Sequence, residues 1–392
     1  VIMDKKTSVW ENSLIWFGAA VSLAEIFSGT LFAPLGFTKG LMAILLGHVI
    51  GCLLLYGAGL IGALTGKSAM ETVGISFGKG GGSFFAVLNV IQLIGWTAVM
   101  IAGGATALTA LVPGGTFVWS VVLGILVLAW VFTGTSHVGK VNTVAMGLLF
   151  VLTLVLSALI FGGGHLAAPS GEALSFGAAV ELSVAMPLSW LPLLADYTRH
   201  AEQPYQATAA SCVVYGLVSC WMYIIGMGMA LFAGSSDLGT IMLKAGMGLG
   251  ALVIILLSTV TTTCLDVYSA AISSSSISKH ISSQRASIVV CIIGTLLAAL
   301  APTSKFEDFL YFIGSVFAPM TAILLTDYFL LGRKETKGLV SVGNLCLWII
   351  GFILYRYFLN VDTPLGSTIP VMVIMMVVCY VVNLVAGRQE EC

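Results

Sequence analysis

The chain is a succession of apolar runs, each about long enough to cross a bilayer, with little between them to face water. A transmembrane helix takes roughly 20 consecutive apolar residues. Runs bounded by glycine, proline and charge fall near 12–34, 40–64, 83–111, 116–134, 141–163, 175–197, 207–233, 248–272, 285–302, 307–332, 341–359 and 367–387. Only 8% of the 392 residues are charged, against roughly a quarter in soluble domains, so a water-facing surface cannot be covered. Disorder needs low hydrophobicity and high charge, and 58% of this chain is hydrophobic. Its 45 glycines suit helices that approach closely in lipid. The expected fold class is an all-α polytopic membrane protein of twelve transmembrane helices with short loops. Two shorter stretches, 68–78 and 237–246, read as surface or re-entrant pieces.

Charge sets the expected orientation. With the N-terminus in the cytoplasm, Lys5, Lys6, Lys67, Lys79, Lys140, Arg199, Lys279, Arg285, Arg333, Lys334, Lys337 and Arg388 fall inside, and Lys39, Lys244, Lys305 and Arg356 outside. This inside excess supports both the span count and the topology. Both termini are therefore expected in the cytoplasm and the chain in the inner (cytoplasmic) membrane. The region around Lys5 and Lys6 carries no small-residue cleavage site, so the first span is expected to stay in the mature protein. A net charge of −1 implies no nucleic-acid partner. The scattered cysteines form no C-x-x-C pair, so they read as small apolar fillers.

Two spans look interrupted. The first runs Gly18-Ala19-Ala20-Val21-Ser22-Leu23-Ala24-Glu25 and then Ser28-Gly29-Thr30 to Pro34; the sixth holds Met186-Pro187 and Leu191-Pro192. Each proline lacks a backbone donor and opposes a regular helix. Main-chain groups freed in lipid are costly unless they line a cavity or bind something. Breaks five spans apart point to a transporter of inverted repeats with its site between the breaks. The expected units are residues 1–163 (spans one to five), 164–302 with 303–335 (spans six to ten), and 336–392 (two further spans).

Three carboxyls lie well inside spans: Glu25, Glu181 and Asp266. A charge at the bilayer centre costs about 2.5–3.5 kcal/mol even on the lenient scale, so each is a functional candidate. Glu181, in the outer half of span six, is read as facing an aqueous vestibule. In span eight Ser258, Thr261 and Thr262 fall at i, i+3 and i+4, one helical face. Hard cations take oxygen ligands, so these hydroxyls beside carbonyls of a broken helix suit a monovalent ion. They equally suit bonds back to their own helix. Gln92 and Trp96 share a face of span three, where an amide and an aromatic plate suit a flat heterocycle or plain packing. Asp196 beside Arg199, and Asp327 before Arg333 and Lys334, read as interfacial anchors and gate contacts or, more plainly, as surface ion pairs.

At these residues the sequence resembles the nucleobase–cation symporter family, which adopts the leucine-transporter fold. The resemblance runs over about residues 10–335 in Ile15-Trp16-Phe17-Gly18, Ile75-Ser76-Phe77-Gly78, Gly95-Trp96, Ala195-Asp196-Tyr197-Thr198-Arg199, Val260-Thr261-Thr262, and Ala318-Pro319 through Thr326-Asp327-Tyr328-Phe329-Leu330. Within it the chain is most similar to CytX-like permeases for hydroxymethylpyrimidine, a thiamine precursor, through Ser22-Leu23-Ala24-Glu25-Ile26-Phe27-Ser28-Gly29-Thr30. The resemblance implies a sodium site made by the carbonyls of Gly18, Val21 and Ser258 and the hydroxyls of Thr261 and Thr262. It also implies a substrate stacked between Trp96 and an aromatic in the break of span six. At that position this chain has Pro187, with Met186 before it and Trp190 three residues on. Ser22 stands where some members carry Gln, and Thr263 and Val267 where Asn is common. An aminopyrimidine offers an amine donor beside a ring-nitrogen acceptor, which a carboxyl can read. Glu25 or Asp266 is therefore expected to take that edge, with Gln92 or Ser22 on another polar group.

The expected activity is sodium-coupled import of a small heterocycle, by a monomer with no cofactor. Proton coupling through Glu25 or Asp266, and cytosine or another nucleobase-like cargo, are the rival readings. No H-E-x-x-H or G-x-S-x-G supports an enzyme, and no repeated filter supports a channel.

Overall fold

The computed structural model describes residues 6–133, 135–162, 174–232, 248–278, 280–300, 306–336 and 338–390. Among the described residues, fourteen α-helices trace the twelve expected spans: α1 (Val9–Ala20) and α2 (Leu23–Thr30) make span one, α3 (Gly36–Thr65) span two, α4 (Ala69–Leu111) span three, α5 (Gly115–Thr133) span four and α6 (Thr135–Phe161) span five. α7 (Phe176–Ser189) and α8 (Leu194–Thr198) make span six. α9 (Pro204–Phe232), α10 (Gly248–Ile277), α11 (Ser283–Leu300), α12 (Phe306–Leu325), α13 (Val342–Phe358) and α14 (Thr368–Glu390) complete the set. The stretch 237–246 lies outside the described residues.

The helix starts are written in the sequence. Ser8 with Glu11 and Ser68 with Glu71 form capping boxes, each pair satisfying two N-terminal donors. Residues 68–78 are not a separate surface piece. They form the first turns of α4, which bends at Gly78 (φ 75°, ψ 170°) before the span proper. Gly78 is needed twice over: its φ is left-handed, and a Cβ there would stand 2.7 Å from the Leu339 carbonyl oxygen.

Two groups of helices pack tightly within themselves. α1, α2, α3, α7 and α9 form one, and α4, α5, α10 and α11 the other, with sparser contact across the seam at α1–α10 and α2–α4. Lipid tails are as apolar as leucine, so close backbone approach has to supply the cohesion. In the first group small residues provide it. Gly47 and Gly51 of α3 seat Ser183 and Pro187 of α7, and Gly59 and Gly62 seat Leu194 and Ala195 of α8. Span two thus follows both halves of broken span six. Where α2 crosses α9, a Cβ on Gly226 would overlap the Ile26 carbonyl, and one on Gly29 the Tyr223 carbonyl.

We expect Gly226→Ala to destabilise the detergent-solubilised protein by about 1–3 kcal/mol. Gly103→Ala, whose added methyl meets nothing within 4 Å, should stay within about 0.5 kcal/mol. Paired thermal melts in one detergent check both.

Candidate functional site

The site begins where span one unwinds. α1 stops at Ala20, and Val21 leaves the helical region (φ −81°, ψ 79°). The Ser22 N–H turns to the Ala20 carbonyl (3.0 Å) instead of that of Gly18. The Ser22 hydroxyl then caps α2 by accepting the Glu25 N–H (3.2 Å). Two residues without helical geometry therefore release carbonyls of the first half-helix and start a second one.

Span eight packs against this break. The Ser258 hydroxyl donates to the Val21 carbonyl (3.0 Å). One turn on, the Thr261 hydroxyl donates to the Leu257 carbonyl (2.8 Å), with that of Ser258 at 3.3 Å. The Thr262 hydroxyl oxygen is buried with no hydrogen-bond partner. The structure thus joins Val21 to Ser258 directly, and Thr262 adds an unsatisfied oxygen on the same face.

The second break has different chemistry. After Ser189 the chain passes through Trp190, Leu191, Pro192 and Leu193 in turn geometry before α8 begins. Two amides from α4 take the carbonyls freed there: Gln92 Nε2 donates to Ser189 O (2.9 Å) and Asn89 Nδ2 to Pro192 O (3.1 Å). Gln92 is thus engaged as a brace, although its Oε1 is buried without a partner.

Between the breaks lies a small cavity of about 10 Å³, lined by Ala19, Ser22, Glu25, Trp96, Met100, Met186, Ser189, Trp190, Leu193 and Asp266. That is close to the space one water molecule needs. Of the nine substrate-site residues expected from the sequence, Ser22, Glu25, Trp96, Met186, Trp190 and Asp266 meet here. Three do not line it. Pro187 packs toward Gly51 of α3, Gln92 braces Ser189, and the Thr263 hydroxyl donates back to the Thr259 carbonyl (2.6 Å). Trp190 packs edge-on against Trp16 (centroids 5.2 Å, 85° between planes), and Trp96 against Phe309 (5.5 Å, 68°).

The two carboxyls of the cavity differ. Glu25 accepts from the Tyr215 hydroxyl at Oε1 (2.8 Å) and from the Ser219 hydroxyl at Oε2 (2.7 Å). Asp266 Oδ2 is buried with no partner. Sequence reasoning missed Tyr215 and Ser219, although two hydroxyls four residues apart in an apolar span mark one helical face. It also missed Met100, one turn beyond Trp96.

Three other acidic residues are more deeply buried than the sequence suggests. Glu181 lines a cavity of about 220 Å³ with Ser175, Tyr311 and Asp362, as a vestibule would require, but is itself buried: its carboxyl accepts from the N–H groups of Ser367 (2.6 Å) and Thr368 (2.7 Å), the Thr368 hydroxyl (2.7 Å) and the Tyr355 hydroxyl. It holds the start of α14, where an anion suits the helix N-terminus. Asp196 is no surface ion pair but is buried and accepts the Ala69 N–H at the start of α4 (2.9 Å), while Arg199 lies 4.0 Å from Glu71. Asp327 is buried between Arg333 (3.0 Å) and the Asn344 amide (2.8 Å).

Two spans broken at matching places, with a cavity between them, define a secondary transporter of the leucine-transporter fold. The comparisons agree. The structure superposes on Mhp1, a nucleobase-cation-symport-1 transporter, in a closed conformation with bromovinylhydantoin bound (TM-score 0.80, 18% identity, 98% of this chain and 93% of that one). It also matches a Na+-coupled sialic acid symporter (TM-score 0.69, 15% identity, 96% and 89%). The cytosine permease of Escherichia coli strain K12 is 26% identical over 340 residues, covering 85% of this chain and 81% of that protein. The purine-cytosine permease fcyB of Emericella nidulans is 25% identical over 370 residues, covering 83% and 71%. The family model for permeases of cytosine/purines, uracil, thiamine and allantoin matches residues 3–383. The chain belongs to that family, the nucleobase–cation symporters, and is a membrane permease rather than an enzyme.

Gln92→Leu leaves the buried Ser189 carbonyl without its protein partner. An orphaned buried acceptor costs about 1–3 kcal/mol, and we expect a loss of that size in the thermal stability of purified protein.

Proposed function

We propose that this permease imports an aminopyrimidine, hydroxymethylpyrimidine, together with sodium, by alternating access. The observation that carries the reading is Asp266: an unpartnered buried carboxyl oxygen on the same cavity as Trp96 and Trp190. A carboxylate accepts a charge-assisted hydrogen bond from an exocyclic amine, and the tryptophans offer faces for a flat ring. Ser22 is the second polar contact. The cavity must widen to admit a ring, and the unbranched side chains of Met100 and Met186 are suited to yielding.

Sodium is assigned to the carbonyls of Gly18, Val21 and Ser258 with the hydroxyls of Thr261 and Thr262. The turned Ser22 N–H, which leaves Gly18 free, and the unsatisfied Thr262 oxygen support this. The Thr261 hydroxyl spends its proton on Leu257 and keeps lone pairs for an ion. Ion and cargo sites adjoin through Val21 and Ser22, so each ligand steadies the backbone the other needs, a reciprocal coupling. The permease works as a monomer in the inner membrane with both termini cytoplasmic, in keeping with the basic-residue bias.

A second reading keeps the site and changes the cargo to cytosine. The Escherichia coli relative is a cytosine permease, and cytosine presents the same pairing of amine and ring nitrogen.

Uptake of radiolabelled hydroxymethylpyrimidine into proteoliposomes tests the proposal. An inward sodium gradient should drive uptake. Thr262→Ala should raise the sodium concentration for half-maximal uptake about tenfold, and Asp266→Asn should lower uptake about tenfold or more. No uptake of hydroxymethylpyrimidine together with uptake of radiolabelled cytosine would select the second reading, and uptake indifferent to sodium would overturn the ion assignment.

A further inference from the structure

Behind the cavity, a chain of hydrogen bonds joins the four spans of one helix group. Glu25 comes from α2, Ser219 from α9, His48 from α3 and Ser183 from α7, and all are buried. Glu25 Oε2 and the Ser219 oxygen are 2.7 Å apart, Ser219 and His48 Nε2 2.6 Å, and His48 Nδ1 and Ser183 2.8 Å. Ser183 in turn donates to the Ile44 carbonyl (2.8 Å), which also lies 3.0 Å from His48 Nδ1.

The hydrogens along this chain can be counted from what each atom is able to donate. A carbonyl only accepts, and Ser183 has already given its one proton to Ile44. Both neighbours of His48 Nδ1 are therefore acceptors, so Nδ1 carries a proton. At the other end Ser219 has one proton for two short contacts. If it donates to Nε2 of a neutral imidazole, Glu25 must be the donor in the contact at 2.7 Å. If it donates to a carboxylate, Nε2 must carry a proton and the ring is an imidazolium. The two arrangements hold the same number of protons and differ by a shift through Ser219. A carboxylate beside a neutral ring has one proton fewer and leaves one of the two contacts without a hydrogen, as two facing acceptors in a dry interior.

We infer that Glu25, Ser219 and His48 form a proton-binding site, separate from the cation site and bordering the cargo cavity at Glu25, that holds one exchangeable proton among three helices. Glu25 also lines the cavity, so the proton is linked to whatever binds there. The other titratable groups facing the chain are accounted for. The Tyr215 hydroxyl donates to Glu25 Oε1, and the Tyr223 ring meets His48 edge-on at 4.9 Å. Cys52 and Cys220 neighbour Glu25 as thiols, and Asp266 shares the cavity. Among these only His48 can carry a compensating positive charge.

The site is testable without cargo. Nitrogen-15 NMR of histidine-labelled, full-length protein in detergent, from about pH 5 to about pH 9, reads the protonation of each ring nitrogen. His48 is identified among the five histidines by signals that move in Ser219→Ala and vanish in His48→Gln. Nδ1 should stay protonated throughout, while the Nε2 signal makes one step with pH. In Glu25→Gln the amide donates to Ser219 as the neutral acid would, so the fold should hold and the step disappear. An Nδ1 without a proton, an Nε2 signal with no step in the wild type, or an unchanged step in Glu25→Gln would overturn the inference. A second arm rests on the proposed cargo: the apparent affinity for hydroxymethylpyrimidine should change about tenfold across the step in the wild type and not in Glu25→Gln. An affinity flat across a step seen by NMR would refute the link to the cavity while leaving the proton site, and failure of the cargo reading leaves the NMR result untouched.

Discussion

Inside a bilayer every main-chain N–H and C=O must find a partner within the protein, and spans one and six break that rule twice. How each break is repaired decides its use. In span six the freed carbonyls of Ser189 and Pro192 are taken by the Gln92 and Asn89 amides, so the unwound turn is bolted to α4. In span one the repair is lighter. The Ser22 side chain caps the second half-helix, and the Ser258 hydroxyl reaches Val21. Protein donors complete the one break and leave the other with oxygens to offer, a difference that suits a fixed wall in one place and a reversible ligand in the other.

The breaks also lie at the seam between two bodies of helices. Within each body, glycines seat a neighbouring helix, at backbone distance where Gly29 and Gly226 meet Tyr223 and Ile26, and against threonine side chains where Gly104, Gly124 and Gly294 meet Thr259, Thr295 and Thr97; such surfaces resist sliding, because a shift of one residue puts a side chain where a glycine is required. Across the seam the packing is sparser and the lining side chains are larger: Trp96, Met100, Met186 and Trp190. Relative motion is therefore cheaper between the bodies than inside either. The hydrogen-bond chain from Glu25 to Ser183 runs wholly within one body, so a proton held there travels with it.

The spans were legible because lipid imposes one simple demand, twenty apolar residues, and punctuation by glycine and charge marks where it ends. The breaks were legible because proline and paired small polar residues are poor tenants of a buried helix. Partners distant in sequence were not. Glu181 reads as an exposed carboxyl until Thr368, 187 residues away, closes on it. Gln92 reads as a ligand-binding amide until Ser189, 97 residues away, turns its carbonyl outward. His48 is a lone histidine in an apolar run, and nothing local marks it, because its partners lie 135 and 171 residues off. In lipid a polar residue announces that a partner exists without saying whether it is a ligand or another helix.

The two cavity carboxyls divide along that line. Under the proposed assignments Glu25 and His48 together carry no net charge once their shared proton is bound. Asp266 has no protein partner at Oδ2, and an isolated charge in a dry interior is costly. Its carboxylate is therefore favoured only while a cation or an amine donor stands beside it. Under those assignments sodium and cargo each lower the cost of the charge that the other meets, which links the two ligands through one aspartate.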